Sequence, residues 1–262
     1  MRNLYAIYRK EMGNYFVSPI AYVVVGIFLI LAALFFNSSV QVEVARALNM
    51  EMQGMQYGGV MPYDVPGSAI RDFFAVLGSI LLFLTPMLTM GVFSEERRRG
   101  TMELLMTSPI TDAQIVLGKF LASLSLLVIM LLPTVVYMIY LLRHSDPAPS
   151  VKLVFSGYLG VLLLGGSLLA VGSFLSSLTE SQLIAAVVTF FVFLILWVID
   201  FFVRGVGNWV GDVLQYLSVT RHYEDFTRGV IDTSGVLFYL SLAAFAIFLT
   251  MRSVDSMRWR RA

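Results

Sequence analysis

The chain has 262 residues, of which 58% are hydrophobic and only 13% are charged, whereas soluble globular proteins carry about 25% charged residues. This composition excludes a soluble enzyme and a disordered chain. The net charge of +1 argues against a nucleic-acid partner, which requires a basic surface, and the absence of cysteine excludes disulfides and thiolate metal sites. We therefore expect an all-α integral membrane protein.

Six apolar runs are long enough, at about 20 residues, to cross the hydrocarbon core of a bilayer as helices. They make up one membrane domain and cover residues 17–37, 73–93, 120–142, 153–177, 183–203 and 234–251. Ser18 and Pro19 open the first run as an N-cap and a proline at the first helical position. The even number of spans places both termini on one side of the membrane.

The distribution of basic residues predicts the orientation, because cytoplasmic segments carry the excess of Lys and Arg. Eleven of the 18 basic residues lie on the side of the termini, among them Arg97, Lys119 and Arg252. We therefore expect both termini in the cytoplasm.

Four segments outside the spans are predicted to have structure of their own, and the fourth is the cytoplasmic loop 94–119, which is described below. Residues 1–16 place Leu4 and Tyr8 among basic residues, which is typical of a helix lying in the membrane interface, either as a membrane rest or as a partner surface. The external segment 38–71 is predicted to begin as a helix and to become irregular at its glycines and prolines. The external segment 204–232 is predicted to form one or two short helices.

Ionisable side chains are absent from the interiors of the six runs, and Asp200 lies near the outer end of the fifth. Ion-coupled carriers and intramembrane proteases need such groups at membrane depth, so both classes conflict with the sequence. The chain also lacks a GxxxxGK[ST] motif and is therefore not itself a P-loop ATPase. We expect no catalytic residue in this chain.

A methionine cluster in the segment 38–71 comprises Met50, Met52, Met55 and Met61. Thioethers are soft ligands that suit copper(I), but no Cys or His lies beside them. Because methionine also fills irregular apolar contacts, we expect interface packing here and no metal site.

Small residues recur four positions apart along the fourth span, which lets another helix approach closely. The pairs are Ser156 and Gly160, Gly166 and Ala170, and Ser173 and Ser177. The sequence leaves open whether this contact forms within one subunit or between two. Pro86 and Pro133 are predicted to bend the second and third spans, as hinges or as ordinary bends.

The second span is predicted to overshoot the membrane. Arg97, Arg98 and Arg99 suit the last turn of a helix, where the backbone dipole is negative, and Gly100 follows as a left-handed terminator.

A short transverse helix is predicted to follow. Thr101 can cap it, Glu103 lies in its positively polarised first turn, and Pro109 ends it after about two turns. Thr111 and Gln114 then form a capping box that opens the helix leading into the third span. On these signals alone, the segment is either a rigid contact for a cytoplasmic motor or a simple interfacial helix.

The join between the fourth and fifth spans is predicted to be equally compact. Thr179 and Gln182 have the spacing of a second capping box, with Glu180 between them. Two rigid connections on the cytoplasmic side would transmit a push to the spans, whereas flexible loops would absorb it.

The string EERRRGTMELLMTSPITDAQIVLGK, from Glu95 onward, closely resembles the signature of type-2 permeases of ATP-binding-cassette (ABC) exporters. It looks especially like the gliding-motility-associated branch. The strings KEMGNYFVSPIAYVV, from Lys10, and SSLTESQLIAAVV, from Ser176, are similar to that branch as well. The resemblance covers most of the chain and is weakest in the external segments 38–71 and 204–232.

The resemblance implies a six-span subunit of the bacterial inner membrane that dimerises above a separate cytoplasmic ATPase dimer, which holds ATP and magnesium. Residues 101–108 would be the coupling helix and residues 1–16 the connecting helix. The second permease position would hold an identical copy or a different auxiliary subunit. The residues implied in coupling to the ATPase are Glu95, Glu96, Arg97, Gly100, Thr101, Glu103, Leu104, Leu105 and Pro109.

Two functions remain open. The first is an export permease, in which motion of the coupling helix rearranges the spans around a substrate path. The second is a mechanical transmitter, which passes the same motion to envelope partners through the external segments 38–71 and 204–232 without moving a substrate.

Overall fold

A computed structural model describes residues 2–57, 63–102, 110–203, 216 and 218–259. These residues are almost entirely helical, and none of them lies in a β-strand. The helices are α1 (Arg2–Val17), α2 (Pro19–Tyr57), α3 (Val65–Thr89), α4 (Ser94–Arg98), α5 (Asp112–Leu131), α6 (Val135–His144), α7 (Val151–Leu178), α8 (Gln182–Val203), α9 (Val219–Thr227) and α10 (Thr233–Trp259).

Six helical stretches of the described chain are long and apolar enough to span a membrane, which confirms the predicted number and the all-α fold. They begin at Pro19, Val65, Asp112, Val151, Gln182 and Thr233. The third consists of α5 and α6, which meet at a 3₁₀ turn around Pro133, whereas Pro86 lies inside an uninterrupted α3.

The first helix is much longer than its apolar run. With 39 residues, α2 is about 58 Å long, roughly twice the thickness of the hydrocarbon core. The predicted helical start of the segment 38–71 is therefore confirmed. Met50, Met52 and Met55 are exposed on this extension, and Met61 lies outside the described residues.

Two spans form the interior of the bundle. In α3 and α7, 67% of the most apolar 18-residue stretch is buried inside the chain, whereas the corresponding share is 22% in α2 and 17% in α8. Apolar side chains that find no protein neighbour in a membrane helix face lipid or another subunit. The core is rich in aromatic rings, of which Phe28, Phe73, Phe74 and Tyr239 are fully or almost fully buried.

The small residues of α7 make their close contacts within the chain. A Cβ atom on Gly160 would lie 2.5 Å from Cβ of Phe226 in α9, and one on Gly157 would lie 2.3 Å from the ring of Phe74 in α3. Ser156 donates a hydrogen bond to the carbonyl of Phe226 (2.9 Å). These contacts of Ser156, Gly157 and Gly160 are therefore intramolecular, and Ala170 is also fully buried within the chain.

The short helix α9 confirms one of the helices predicted for the segment 204–232. Its Tyr223 donates a hydrogen bond to the carbonyl of Phe74 (2.5 Å), and Tyr239 of α10 donates one to the carbonyl of Val219 (2.7 Å). These bonds fix α9 against α3 and α10. The predicted helical stretch around Trp209 and Val213 lies outside the described residues.

A buried carboxylate braces α2 where it extends beyond its apolar run. Glu43 has no exposed surface and accepts hydrogen bonds from Tyr63 and Arg46. Arg46 also lies 3.6 Å from Asp72 of α3. The run 17–37 has no ionisable side chain, as predicted. The helix α2, however, continues beyond this run and buries the carboxylate of Glu43.

Candidate coupling site

The N-terminal helix packs along α5, where the amphipathic pattern had indicated a membrane rest or a partner surface. A Cβ atom on Gly118 would lie 2.8 Å from the Ile7 side chain, so the two helices approach closely. Tyr15 shares a hydrogen bond of 2.8 Å with Ser123. Burial raises the pKa of Tyr15 to about 12, so its hydroxyl stays neutral. The opposite side of α1 leaves Tyr5 62% exposed.

The predicted overshoot of the second span is interrupted by a turn. The helix α3 ends at Thr89, and α4 begins at Ser94. The hydroxyl of Ser176 on α7 accepts from the backbone N–H groups of Phe93 and Ser94, both at 3.2 Å, and donates to the carbonyl of Met90 (2.9 Å). The hydroxyl of Ser176 therefore forms the hydrogen bonds that these backbone groups would have made within a continuous helix.

The helix α4 carries the predicted charges and ends as predicted. Glu95 and Glu96 lie in its first turn and Arg97 in its last turn, and Gly100 has a left-handed backbone with φ of 69°. A side chain at that φ is strained, which confirms Gly100 as the terminator. The hydroxyl of Thr101 donates to the carbonyl of Glu96 (3.4 Å).

A buried lysine joins α4 to α1 and α5. Lys119 is 2% exposed, and its Nζ atom lies 3.0 Å from Oε1 of Glu11 and 3.0 Å from Oε2 of Glu96. It also donates to the carbonyl of Val92 (2.8 Å). Lys10 pairs with Oε1 of Glu96 at 3.1 Å. Lys119 was counted among the basic residues on the side of the termini, and the structure buries its side chain within the chain.

The geometry of this network shows how the lysine is compensated. Oε2 of Glu96 is buried and out of line for a hydrogen bond, so it attracts Lys119 as a charge only. The directional bonds of Nζ go to Glu11 and to the carbonyl of Val92. Removing one partner of such a buried pair leaves a charge without compensation, which costs about 3–5 kcal/mol.

The second connection is tied to α4 by an arginine. Arg97 donates to the carbonyl of Ser177 at the end of α7 (2.7 Å) and lies 3.3 Å from Oε1 of Glu180. The hydroxyl of Ser177 bonds to that of Ser253 in α10 (2.9 Å). The side chain of Arg97 is only 22% exposed. Arg97 therefore fastens the two connections to each other.

The cap of α8 differs from the predicted capping box of Thr179 and Gln182. The helix begins at Gln182, so Ser181 is its N-cap, and its hydroxyl accepts from the N–H of Ile184 (3.5 Å). Thr179 instead accepts from the N–H of Ser181 (3.2 Å). Both Thr179 and Ser181 are good capping residues, and the helix starts at the later one. By contrast, the capping box of Thr111 and Gln114 at the start of α5 is confirmed.

A small apolar cluster lies beneath the charged groups. Met102, at the last described position before the gap, is 4% exposed and belongs to it. The cluster brings together the N-terminal helix, the turn before α4, the start of α5 and the end of α10. Its other buried members are Ile7, Val92, Phe93, Ile115, Val116 and Val254.

The predicted coupling residues thus fall into four groups. Glu96 and Arg97 are paired inside the chain, and Gly100 and Thr101 form the turn. Glu95 pairs with Arg99 at 2.5 Å on the surface. The remaining residues lie outside the described part of the chain, and they are Glu103, Leu104, Leu105 and Pro109.

Sequence reasoning missed Glu11, Lys119 and Ser176 as members of this site. Lys119 lies at the polar edge of an apolar run, where a lysine is usually solvated. Ser176 lies within a span, where a serine is usually a small packing residue. The opposite charges of Glu11 and Lys119 gave no sign of pairing, because the two residues are 108 positions apart.

The family model described as ABC-2 family transporter protein matches residues 5–254, nearly the whole chain. Comparison with curated proteins gave no match. Membrane subunits of this family are normally not catalytic and work with an ATP-binding partner. The chain therefore belongs to the ABC-2 transporter family, as a membrane-spanning permease subunit of an ABC transporter.

Proposed function

We propose that the chain is the permease of a bacterial inner-membrane exporter and that residues 101–108 are the helix through which a cytoplasmic ATPase dimer drives it. The observation that carries the proposal is the anchoring of the segment on both flanks. Lys119, Ser176 and Arg97 tie the N-terminal flank to other helices, and the capping box at Thr111 starts α5 directly after the segment.

Anchored flanks make the segment mechanically effective. The turn at Gly100 is followed at once by Met102, which is packed among side chains of α1, α5 and α10. A force on the N-terminal flank of the segment therefore acts on several helices together, since Met102, the last described residue before the gap, is packed directly against them. Ser176 carries the displacement to α7, which is one of the two interior spans.

Glu96 and Arg97 are paired inside the chain, so their role differs from that of residues that contact the ATPase directly. We propose that they hold the base of the coupling segment and that Glu95, Glu103, Leu104 and Leu105 meet the ATPase. Glu180 supports the base through Arg97. In this arrangement Glu96 and Arg97 are positioning residues.

We further propose a cytoplasmic location for this end of the bundle and a second membrane subunit beside it. The basic residues near α1, α4 and the end of α10 support the orientation. The second position is filled by an identical chain or by an auxiliary subunit, as in the gliding-motility-associated branch. The close contacts of Ser156 and Gly160 are used within the chain, so this pairing employs other surfaces.

The test is copurification of the ATPase subunit with tagged permease variants. Gly100→Val strains the turn, and Glu103→Arg reverses a charge in the coupling segment; both are expected to reduce ATPase recovery at least tenfold. Gly26→Val is the matched control for the glycine, because a Cβ atom there meets nothing within 4 Å. Glu51→Arg is the control for the charge, since it lies on the distant extension of α2.

Folding is checked by helical circular dichroism and size-exclusion elution. If folded Gly100→Val and Glu103→Arg proteins retain the ATPase as well as the two controls do, residues 101–108 are not the coupling helix.

A further inference from the structure

A cavity of about 690 Å³ opens beside the coupling site, and its volume is within the range of small-ligand pockets. It lies between α1, the first turns of α2, the end of α3 and α4. One part of its wall is charged and the other is apolar. The apolar residues include Val17, Ile20, Ala21, Val24, Met87 and Leu88.

The charged part of the wall has an excess of positive charge. Four basic and three acidic side chains line it. Each of the acids is already paired within the chain: Glu11 and Glu96 with Lys119, and Glu95 with Arg99. Arg98 is exposed and has no carboxylate within ion-pair distance among the described residues. A negatively charged group at this wall would therefore find an uncompensated guanidinium.

The two parts of the wall lie at different depths. Ile20 and Met87 are in the apolar runs and are 49% and 39% exposed, so that the cavity opens toward the hydrocarbon of the bilayer at that level. Arg98 follows the second apolar run by about one helical turn, which is the level of the headgroups. An occupant that fills the cavity must therefore have an apolar part and an anionic head.

We propose that this cavity binds one anionic phospholipid, with its phosphate at Arg98 and an acyl chain along Ala21 and Met87. Basic pockets between membrane helices at the cytoplasmic boundary recognise anionic headgroups. The three ion-paired carboxylates would repel a headgroup if they were free, and their internal pairing removes that obstacle. The proposal does not depend on ATPase coupling.

The experiment is native mass spectrometry of the delipidated full chain in a neutral detergent, titrated with phosphatidylglycerol or phosphatidylcholine. We expect one tight phosphatidylglycerol adduct and no comparable phosphatidylcholine adduct. Arg98→Ala should weaken the adduct about fivefold, the contribution of one basic residue at a membrane surface. Ala21→Phe, which fills the apolar part, should abolish it with every basic residue still present.

Matched controls separate this site from lipid that merely coats the spans. Arg252→Ala removes an exposed arginine from α10, outside the cavity, and Ala33→Phe adds a ring at an exposed position of α2. Both should bind phosphatidylglycerol as the unaltered chain does. Glycerol 1-phosphate, the soluble headgroup fragment, should not compete at millimolar concentration.

Four results would overturn the proposal. Equal binding of the two lipids, or no effect of either cavity variant, would show only general lipid contact. Competition by glycerol 1-phosphate would show a site for a soluble anion. Displacement of the lipid by the ATPase subunit would show that the cavity is covered by a protein partner.

Discussion

Lys119 of α5 and Glu11 of α1 form a buried ion pair, with Nζ and Oε1 3.0 Å apart. The same nitrogen lies 3.0 Å from Glu96 of α4, so one ammonium group joins three helices at the base of the coupling segment. We expect Lys119→Ala to lower the free energy of unfolding by about 3 kcal/mol, the low end for a buried pair, because Glu11 and Glu96 lose their buried partner and keep only the half-exposed Lys10. Thermal unfolding of the purified protein in detergent measures the change.

The control for this prediction is Arg228→Ala, which removes an exposed ion pair with Glu224. Exposed pairs contribute at most about 1 kcal/mol, so this variant should unfold almost as the unaltered protein does. Equal stability of the Lys119→Ala and Arg228→Ala proteins would mean that the buried network does not hold the helices together.

Ser176 provides a test of the link between α7 and the turn before α4. Ser176→Ala leaves the N–H groups of Phe93 and Ser94 without their acceptor in a buried region, at a cost of about 1–3 kcal/mol. We also expect weaker stimulation of the partner ATPase by the permease, since the turn is released from an interior span. Unfolding temperature and ATPase rate of the reconstituted complex are the two measurements.

Ser173→Ala is the matched substitution on the same helix. Ser173 is also buried, but its hydroxyl bonds only to the carbonyl of Leu169 within α7. Its removal should change stability little and leave ATPase stimulation intact, because a serine bond to the carbonyl four residues earlier does not stabilise a helix. Similar losses in both serine variants would contradict a specific role for Ser176.

The difference between these serines also shows what sequence reasoning could and could not predict. The terminator Gly100 and the capping box of Thr111 and Gln114 were predictable because each depends on neighbours within a few residues. The turn at 90–93 was not predictable, because its backbone groups form hydrogen bonds with Ser176 and Lys119, which lie on other helices. Local propensities favoured a continuous helix, and tertiary contacts changed it.

The close approach of α7 and α9 gives a second matched pair. A Cβ atom on Gly160 would lie 2.5 Å from Cβ of Phe226, whereas one on Gly166 would lie 3.4 Å from a flexible terminal carbon of Leu124. We expect Gly160→Ala to destabilise the protein by about 1–3 kcal/mol through overpacking. Gly166→Ala should be nearly neutral or stabilising, because alanine favours the helix.

Thermal unfolding in one detergent compares the two glycine variants. Equal stability of the two variants would contradict this prediction, because it would mean that α9 can move away from α7 without cost. The hydrogen bond from Ser156 to the carbonyl of Phe226 holds the two helices together. The small-residue spacing predicted a close helix contact from the sequence. The identity of the partner depended on a separate helix that begins some 60 residues later, which no local pattern specifies.

The buried carboxylate of Glu43 is expected to stabilise the extension of α2. Glu43→Ala removes the acceptor of the Tyr63 hydroxyl and the partner of Arg46, and should lower stability by about 1–3 kcal/mol. Glu51→Ala alters an exposed carboxylate on the same helix and should stay within about 0.5 kcal/mol. Loss of ATPase copurification on Glu43→Ala would contradict a purely structural role for this distant group.

The absence of native cysteine permits the most direct test of the account, which is labelling of a single cysteine at the coupling turn. Thr101→Cys is exposed to a membrane-impermeant thiol reagent in inverted membrane vesicles and in intact cells, with and without the ATPase subunit. The account predicts labelling only in inverted vesicles and strong protection by the ATPase. Labelling in intact cells, or equal labelling with and without the ATPase, would contradict it.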